Sequence, residues 1–191
     1  LLGDETCRFL AIDFDKGNWQ EEILVANRVY EEYGIKSYIE RSRSGNGGHL
    51  WVFFTESIEA HIARKLGIKV LETAMNRNGI SKFDSFDRLF PNQDHMPKGG
   101  YGNLIALPLQ RQAVEKGNSV FVDDSFKMYA SQTAVLQNIE RYSRMQIIDV
   151  LKQFPNVILS DVNDKEIEEE DKVLPWEKKK EEIIPTDLPK Y

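Results

Sequence analysis

The sequence predicts an α+β domain, and three of its features carry that prediction. The run CRFLAIDFD (7–15) is short, apolar and rich in β-formers, as a buried strand is. WQEEILVANRVYEEYG (19–34) places its apolar residues at helical spacing. SYIERSRSGNGGHLWVFF (37–54) alternates apolar and polar residues on either side of a Gly-rich break, the pattern of a hairpin. With 191 residues the chain is long enough for one domain with a real core.

The strand at 7–15 closes on alternating acids. In the first helix Trp19, Ile23, Leu24, Val25, Val29 and Tyr30 share the apolar spacing, which stops at Gly34, where a C-terminal cap belongs. Between 57 and 78, Ile58, Ile62, Leu66, Val70 and Ala74 recur on one side and predict a second helix. Residues 82–110 are turn-rich, with strand candidates at 86–90 and 104–109, and residues 125–153 return to helical character. Beyond Pro155 the chain is Lys/Glu-rich with scattered prolines, as a loosely held tail or an exposed helix would be. The expected division is a body over 1–160 and an acidic tail over 161–191.

The net charge of −6 is uneven: the tail has eleven acids against six bases, which leaves the body at −1. A near-neutral body can gather its bases on one face, so nucleic acid remains an acceptable partner. Cys7 stands alone, which excludes an internal disulfide and multi-cysteine zinc sites and points to a reducing, cytoplasmic setting. No apolar stretch approaches the ~20 residues of a membrane span, and no membrane partner is expected. The chain starts without Met, and further domains of a longer parent are expected.

Asp13 and Asp15, two apart on a strand, project from one face while Phe14 points to the other. Solvated acids at a strand end are the plain alternative. Acids that close an apolar strand repel one another unless a divalent cation neutralises them, and oxygen ligands favour Mg²⁺ or Mn²⁺ over zinc. The second feature runs from Arg41 through Ser42, Arg43, Ser44, Gly45, Asn46, Gly47 and Gly48 to His49. Its amides, hydroxyls and guanidinium groups are donors suited to phosphate oxygens, although a simple hairpin tip has the same composition. Of the three histidines, His49 is assigned to a ligand, with His61 and His95 structural or exposed. Third, Asp87, Arg88, Asn92, Gln93, Lys98 and Asn103 lie among turn residues between apolar segments. Such side chains are costly to bury without partners, and they read as a cleft lining.

Taken in order, FLAIDFD, SRSGNGGHLW and FDRLFPNQD resemble the catalytic motifs of archaeo-eukaryotic primases. The continuations KGGYGNLIALPLQ and VFVDDSFKMY resemble the subgroup of TOTE conflict systems and CRISPR-associated primase-polymerases. The likeness spans about 9–143. It implies an RRM-like sheet combined with a smaller α/β unit, with the active site in the cleft between them. It implies a DNA primase-polymerase: template-directed, metal-dependent nucleotidyl transfer that initiates and extends a primer strand on single-stranded DNA from dNTPs, NTPs or both. Carried over by position, Asp13, Asp15 and Asp87 are catalytic ligands of a two-metal Mg²⁺ or Mn²⁺ site, and His49 contacts the nucleotide. Arg43, Ser44, Gly47, Gly48, Arg88, Asn92, Gln93, Lys98 and Asn103 complete the implied nucleotide site. Asp84 rivals Asp87: strict alternation groups Asp84 with Phe86 and Arg88, and Asp87 with Phe83, Ser85 and Leu89, so periodicity leaves the choice open. The resemblance favours Asp87. Two other classes fit part of the pattern. A metal-dependent nuclease or phosphohydrolase wants clustered carboxylates but no triphosphate loop. A non-catalytic RRM-like single-strand binder uses exposed sheet aromatics and needs no acids.

Overall fold

The apolar run that closes on Asp13 and Asp15 becomes a central strand. In the computed structural model, which describes residues 1–95 and 104–155, it is β1 (Thr6–Asp15). After it come α1 (Trp19–Glu32), β2 (Tyr38–Arg41), β3 (Gly47–Glu59), α2 (Ala60–Asn78) and β4 (Phe86–Phe90). The remainder is α3 (Arg111–Val114), β5 (Val120–Val122), α4 (Gln132–Gln137), β6 (Arg141–Tyr142) and α5 (Arg144–Leu151). Gly34 closes α1 at φ +74°, where the Ile35 N–H reaches back to the Tyr30 carbonyl at 2.9 Å.

The strands lie in the order β4-β1-β3-β2-β5 with antiparallel neighbours, and β6 pairs in parallel with β3 at Phe53 and Phe54. Among the described residues all six strands belong to this one sheet. The expected smaller unit therefore does not appear there as a second sheet, because β5 and β6 join the first. One face packs Leu10, Ile12, Phe14, Leu50 and Val52 against α1, α2 and α5 through Ile23, Leu66, Val70 and Ile147. Full burial of each such aliphatic chain stabilises the fold by ~1.5–3 kcal/mol. The opposite face carries Ala11, Tyr38, Trp51, Phe90 and Phe121, with Ile105, Val135 and Ile139 packed on them.

Several expectations change at this level. The hairpin loop is only 42–46, since Gly47, Gly48 and His49 already belong to β3. Residues 57–59 finish β3 instead of starting the helix: Ile58 pairs with Cys7, Glu59 with Thr6, and the Ala60 N–H donates to the Glu5 carbonyl at 3.0 Å. Ile58 is buried by strand pairing as completely as a helix would bury it, which is why its spacing misleads. Residues 104–109 form no strand; Leu104 and Leu107 are exposed and Leu109 has φ +68°. The expected helix at 125–153 is divided. Ser131 caps α4, Ser143 forms a capping box with Gln146 to start α5, and between them Tyr142 pairs with β3. Lys98, Asn103 and the tail over 161–191 lie outside the described residues. No helix among the described residues is long and apolar enough to cross a membrane.

Candidate active site

Cross-strand register assembles the site. β1 places Asp13 opposite His49 on β3 and opposite Arg88 on β4, so three strands present these side chains on the sheet face away from the helices. The imidazole Nε2 stands 3.5 Å from the Asp13 carboxylate. Asp15, two residues on, pairs with Gly47 and is exposed. In β4 the alternation breaks. Asp13 faces Arg88 while Phe14 faces Phe86, which leaves Asp87 as the extra residue of a bulge. Phe86 and Leu89, three apart, both join the helix-side core, and Asp87 and Arg88 between them turn to the Asp13 side. Their side chains pair, Arg88 Nε to Asp87 Oδ2, at 2.7 Å. Asp84 sits in the approach to β4, its N–H donating to Glu22 of α1 at 3.1 Å.

The electrostatics are those of an acidic patch that His49 and Arg88 offset only in part. Burial pushes the Asp13 carboxyl up and His49 pulls it down. Asp87 and Asp15 then push it up again and Arg88 pulls it down, and it ends above its ordinary value. For His49, burial works against the imidazolium, yet Glu40, Asp13 and Asp15 outweigh it and the ring ends above its ordinary value. Three carboxylates suit a hard divalent cation. Among the described residues no three acidic, histidine or cysteine side chains are gathered closely enough to hold one as they stand. Asp87 is half-exposed, and its carboxylate is taken up by Arg88.

Not all implied nucleotide-site residues converge here. Arg43 and Ser44 are exposed in the 42–46 loop beside the site. Arg41 is occupied by the carbonyls of Gly117 and Phe126, at 2.9 and 2.6 Å. Asn92 and Gln93 follow Phe90, which pairs with Ala11, and they line an apolar cavity of about 300 Å³ with Leu2, Cys7 and Phe9 at the other end of β1. At ~3.3 Å per residue, Phe9 is about 13 Å from Asp13. His95 is also remote from the site and pairs with Glu5 at 3.0 Å. The aromatics a sheet-face binder would expose, Trp51 and Phe121, are fully buried.

Glu40 was not singled out in the sequence. It is 1% exposed and accepts hydrogen bonds from His49 Nδ1 and Trp51 Nε1, both at 2.9 Å, and from Ser119 at 3.2 Å. Its signal was the hairpin itself: pairing YIER with GGHL sets Glu40 opposite His49.

A sheet that gathers acids, a histidine and an arginine at one end, after a strand with two alternating acids, is the framework of an archaeo-eukaryotic primase domain. The family model of the TOTE conflict system, Archaeo-Eukaryotic Primase domain, matches residues 1–150, and the chain belongs to that family. At the level of the superfamily, the family is one of primase-like nucleotidyl transfer on nucleotide and DNA substrates, and its domains typically depend on a divalent metal. Among curated proteins no match to the chain was found.

Proposed function

We propose that this domain is a DNA primase-polymerase that starts and extends primers on single-stranded DNA. The observation that carries the reading is the convergence on Asp13 of His49 from one neighbouring strand and of the Asp87–Arg88 bulge from the other. The chain order β-α-β-β-α-β with sheet order β4-β1-β3-β2 supports an RRM-like core, with the site at one end of the face away from the helices α1 and α2.

Asp13, Asp15 and Asp87 are the residues that would hold Mg²⁺ or Mn²⁺. Such an ion, when bound, neutralises phosphate charge and favours the 3′-alkoxide of the primer. The remaining roles belong to side chains. With Nδ1–H held by Glu40, His49 donates from Nε2 as the imidazolium that Glu40, Asp13 and Asp15 favour, and the guanidinium groups of Arg88 and Arg43 donate beside it, all to triphosphate oxygens. An arriving phosphate would give Arg88 a new partner in place of Asp87, which would then be free to join Asp13 and Asp15 as a residue that would hold the ion. The primer 3′-oxygen, its proton lost to solvent, then bonds to the α-phosphorus as the bond to pyrophosphate breaks and pyrophosphate leaves. The tail, with a net charge of −5, is repelled by the template strand.

The test is incorporation of labelled dNTP or NTP on an unprimed single strand, with Mn²⁺, Mg²⁺ or EDTA. Metal-dependent products that Asp13→Asn abolishes are expected. Strand cleavage in place of extension would identify a nuclease, and binding without either would identify a passive single-strand module.

A further inference from the structure

We infer that Glu40 is a positioning residue for nucleotide binding: its carboxylate fixes the His49 ring so that only the Nε2 edge faces the nucleotide. The inference rests on the reading above of His49 as a nucleotide contact, and it adds a residue that does not itself touch the ligand.

A carboxylate that is almost wholly enclosed needs partners for its lone pairs, and Glu40 has three of them in the fold. Oε2 takes the His49 Nδ1–H and the Trp51 Nε1–H, each at 2.9 Å. Oε1 takes the Ser119 hydroxyl at 3.2 Å. Loss of any one of the three leaves a buried carboxylate short of a hydrogen bond. Trp51 also meets the imidazole edge-on, with ring centroids 5.8 Å apart. The ring is thus held at one nitrogen by an anion and along one side by an indole, with its other nitrogen beside Asp13. A carboxylate acceptor makes the Nδ1 bond roughly twice as strong as a neutral one would. Ser119, which ties Glu40 to the segment before β5, has φ +54°, and its Oγ accepts the Gln110 N–H at 3.2 Å. The anchoring therefore reaches from β2 to the edge of the sheet.

A purely structural carboxylate would serve the fold equally well as an amide. In Glu40→Gln the amide oxygen can still accept from His49 and Trp51, while the amide nitrogen donates to Ser119 Oγ. The bonds from His49 and Trp51 keep an acceptor, the bond with Ser119 reverses direction and leaves the hydroxyl proton to find a new acceptor, and the charge is lost. In His49→Asn the amide nitrogen occupies the place of Nδ1 and keeps a donor for Glu40, while the Nε2 edge is deleted.

The experiment is a double-mutant cycle read by titration with dATP in the presence of Mn²⁺, and separately with a single-stranded oligonucleotide, each variant being checked by thermal melting. Glu40→Gln is expected to weaken dATP binding about five- to tenfold, the difference between a charged and a neutral hydrogen bond. It should leave oligonucleotide binding unchanged and add nothing in the His49→Asn background. Equal losses in both backgrounds, or a parallel loss for the oligonucleotide, would show that Glu40 acts through the fold and would overturn the inference. Normal dATP binding by Glu40→Gln beside a clear loss in His49→Asn would remove Glu40 alone. Normal binding by His49→Asn would remove the underlying assignment of His49, and Glu40 with it. Imidazole ¹⁵N spectra of the unaltered protein give a check that needs no folded variant. They should show His49 protonated at Nδ1, and a bare Nδ1 with the proton on Nε2 would overturn the inference directly.

Discussion

Gly47 leaves no room for a side chain. A Cβ there would stand 2.4 Å from the Phe14 carbonyl oxygen and 3.1 Å from the Asp15 Cα, and one at Gly48 would stand 2.5 Å from the Trp19 ring. Both glycines are therefore required because β1 and α1 press against the start of β3, whatever their amides contribute to phosphate binding. Gly47→Ala should cost about 1–3 kcal/mol by overpacking, whereas Ser44→Ala in the exposed loop should stay within ~0.5 kcal/mol. Chemical denaturation measures both. An unchanged midpoint for Gly47→Ala would mean that the Phe14–Asp15 backbone yields easily. In the sequence these glycines read as a flexible donor loop, since nothing local announces that another strand lies against them. Asp13 and His49 were legible for the opposite reason: alternation and loop position are local properties.

Element by element, the strands and helices with complete local signals were the legible ones. β1, α1 and the hairpin have caps, alternation and a glycine stop, and only their ends moved. The bulge at Asp87 could not be read from period two, because a bulge is the failure of that period and is set by the pairing of β4 with β1. The division of 125–153 was equally hidden: Tyr142 leaves helical geometry to pair with β3 while its hydroxyl accepts the Lys36 N–H at 2.6 Å, a partner 106 residues away. At the junction that follows, Arg144 Nε donates to both Glu59 oxygens, at 3.0 and 2.9 Å, and ties α5 to the end of β3. The bond from Arg144 holds the Glu59 carboxyl below its ordinary value of 4.5. A folded-state value below the unfolded one gives stability that is present at neutral pH and lost as pH falls through the folded value. Arg144→Ala should therefore lower stability by about 0.5–1 kcal/mol at pH 7, the range for a pair this exposed. The gap between variant and unaltered protein should close as the pH drops below the carboxyl range. An undiminished gap in acid would assign the loss to the packing of Arg144 and not to its charge.

For the molecule as a whole, the helix-side core makes a stable frame that tolerates an unfavourable arrangement at one end of the sheet. Asp13, raised by burial and by Asp87 and Asp15, is less stable ionised in the folded chain than in the unfolded one. Stability from this group is greatest at low pH and falls as pH rises through the raised value, so at neutral pH the ionised patch works against folding. Asp13→Asn in EDTA should accordingly melt at or above the unaltered protein, even though it abolishes synthesis. A cation that binds only the folded state reverses the balance. With Mn²⁺ at a hundred times its dissociation constant the folded state gains ~2.7 kcal/mol. At ~2–4 °C per kcal/mol for a chain of this size, that raises the melting temperature by about 5–10 °C. Asp87→Asn should lose most of this shift, and Asp13→Asn combined with Asp87→Asn all of it. Asp84→Asn should keep the shift in full, since the Asp84 backbone N–H is tied to Glu22 of α1 and it is Asp87, on β4, whose charge pushes on Asp13. Thermal melts of these variants with EDTA and with Mn²⁺ decide the matter. A Mn²⁺ shift that survives the double substitution would place the ion elsewhere, and one that disappears with Asp84→Asn alone would make Asp84 the third ligand.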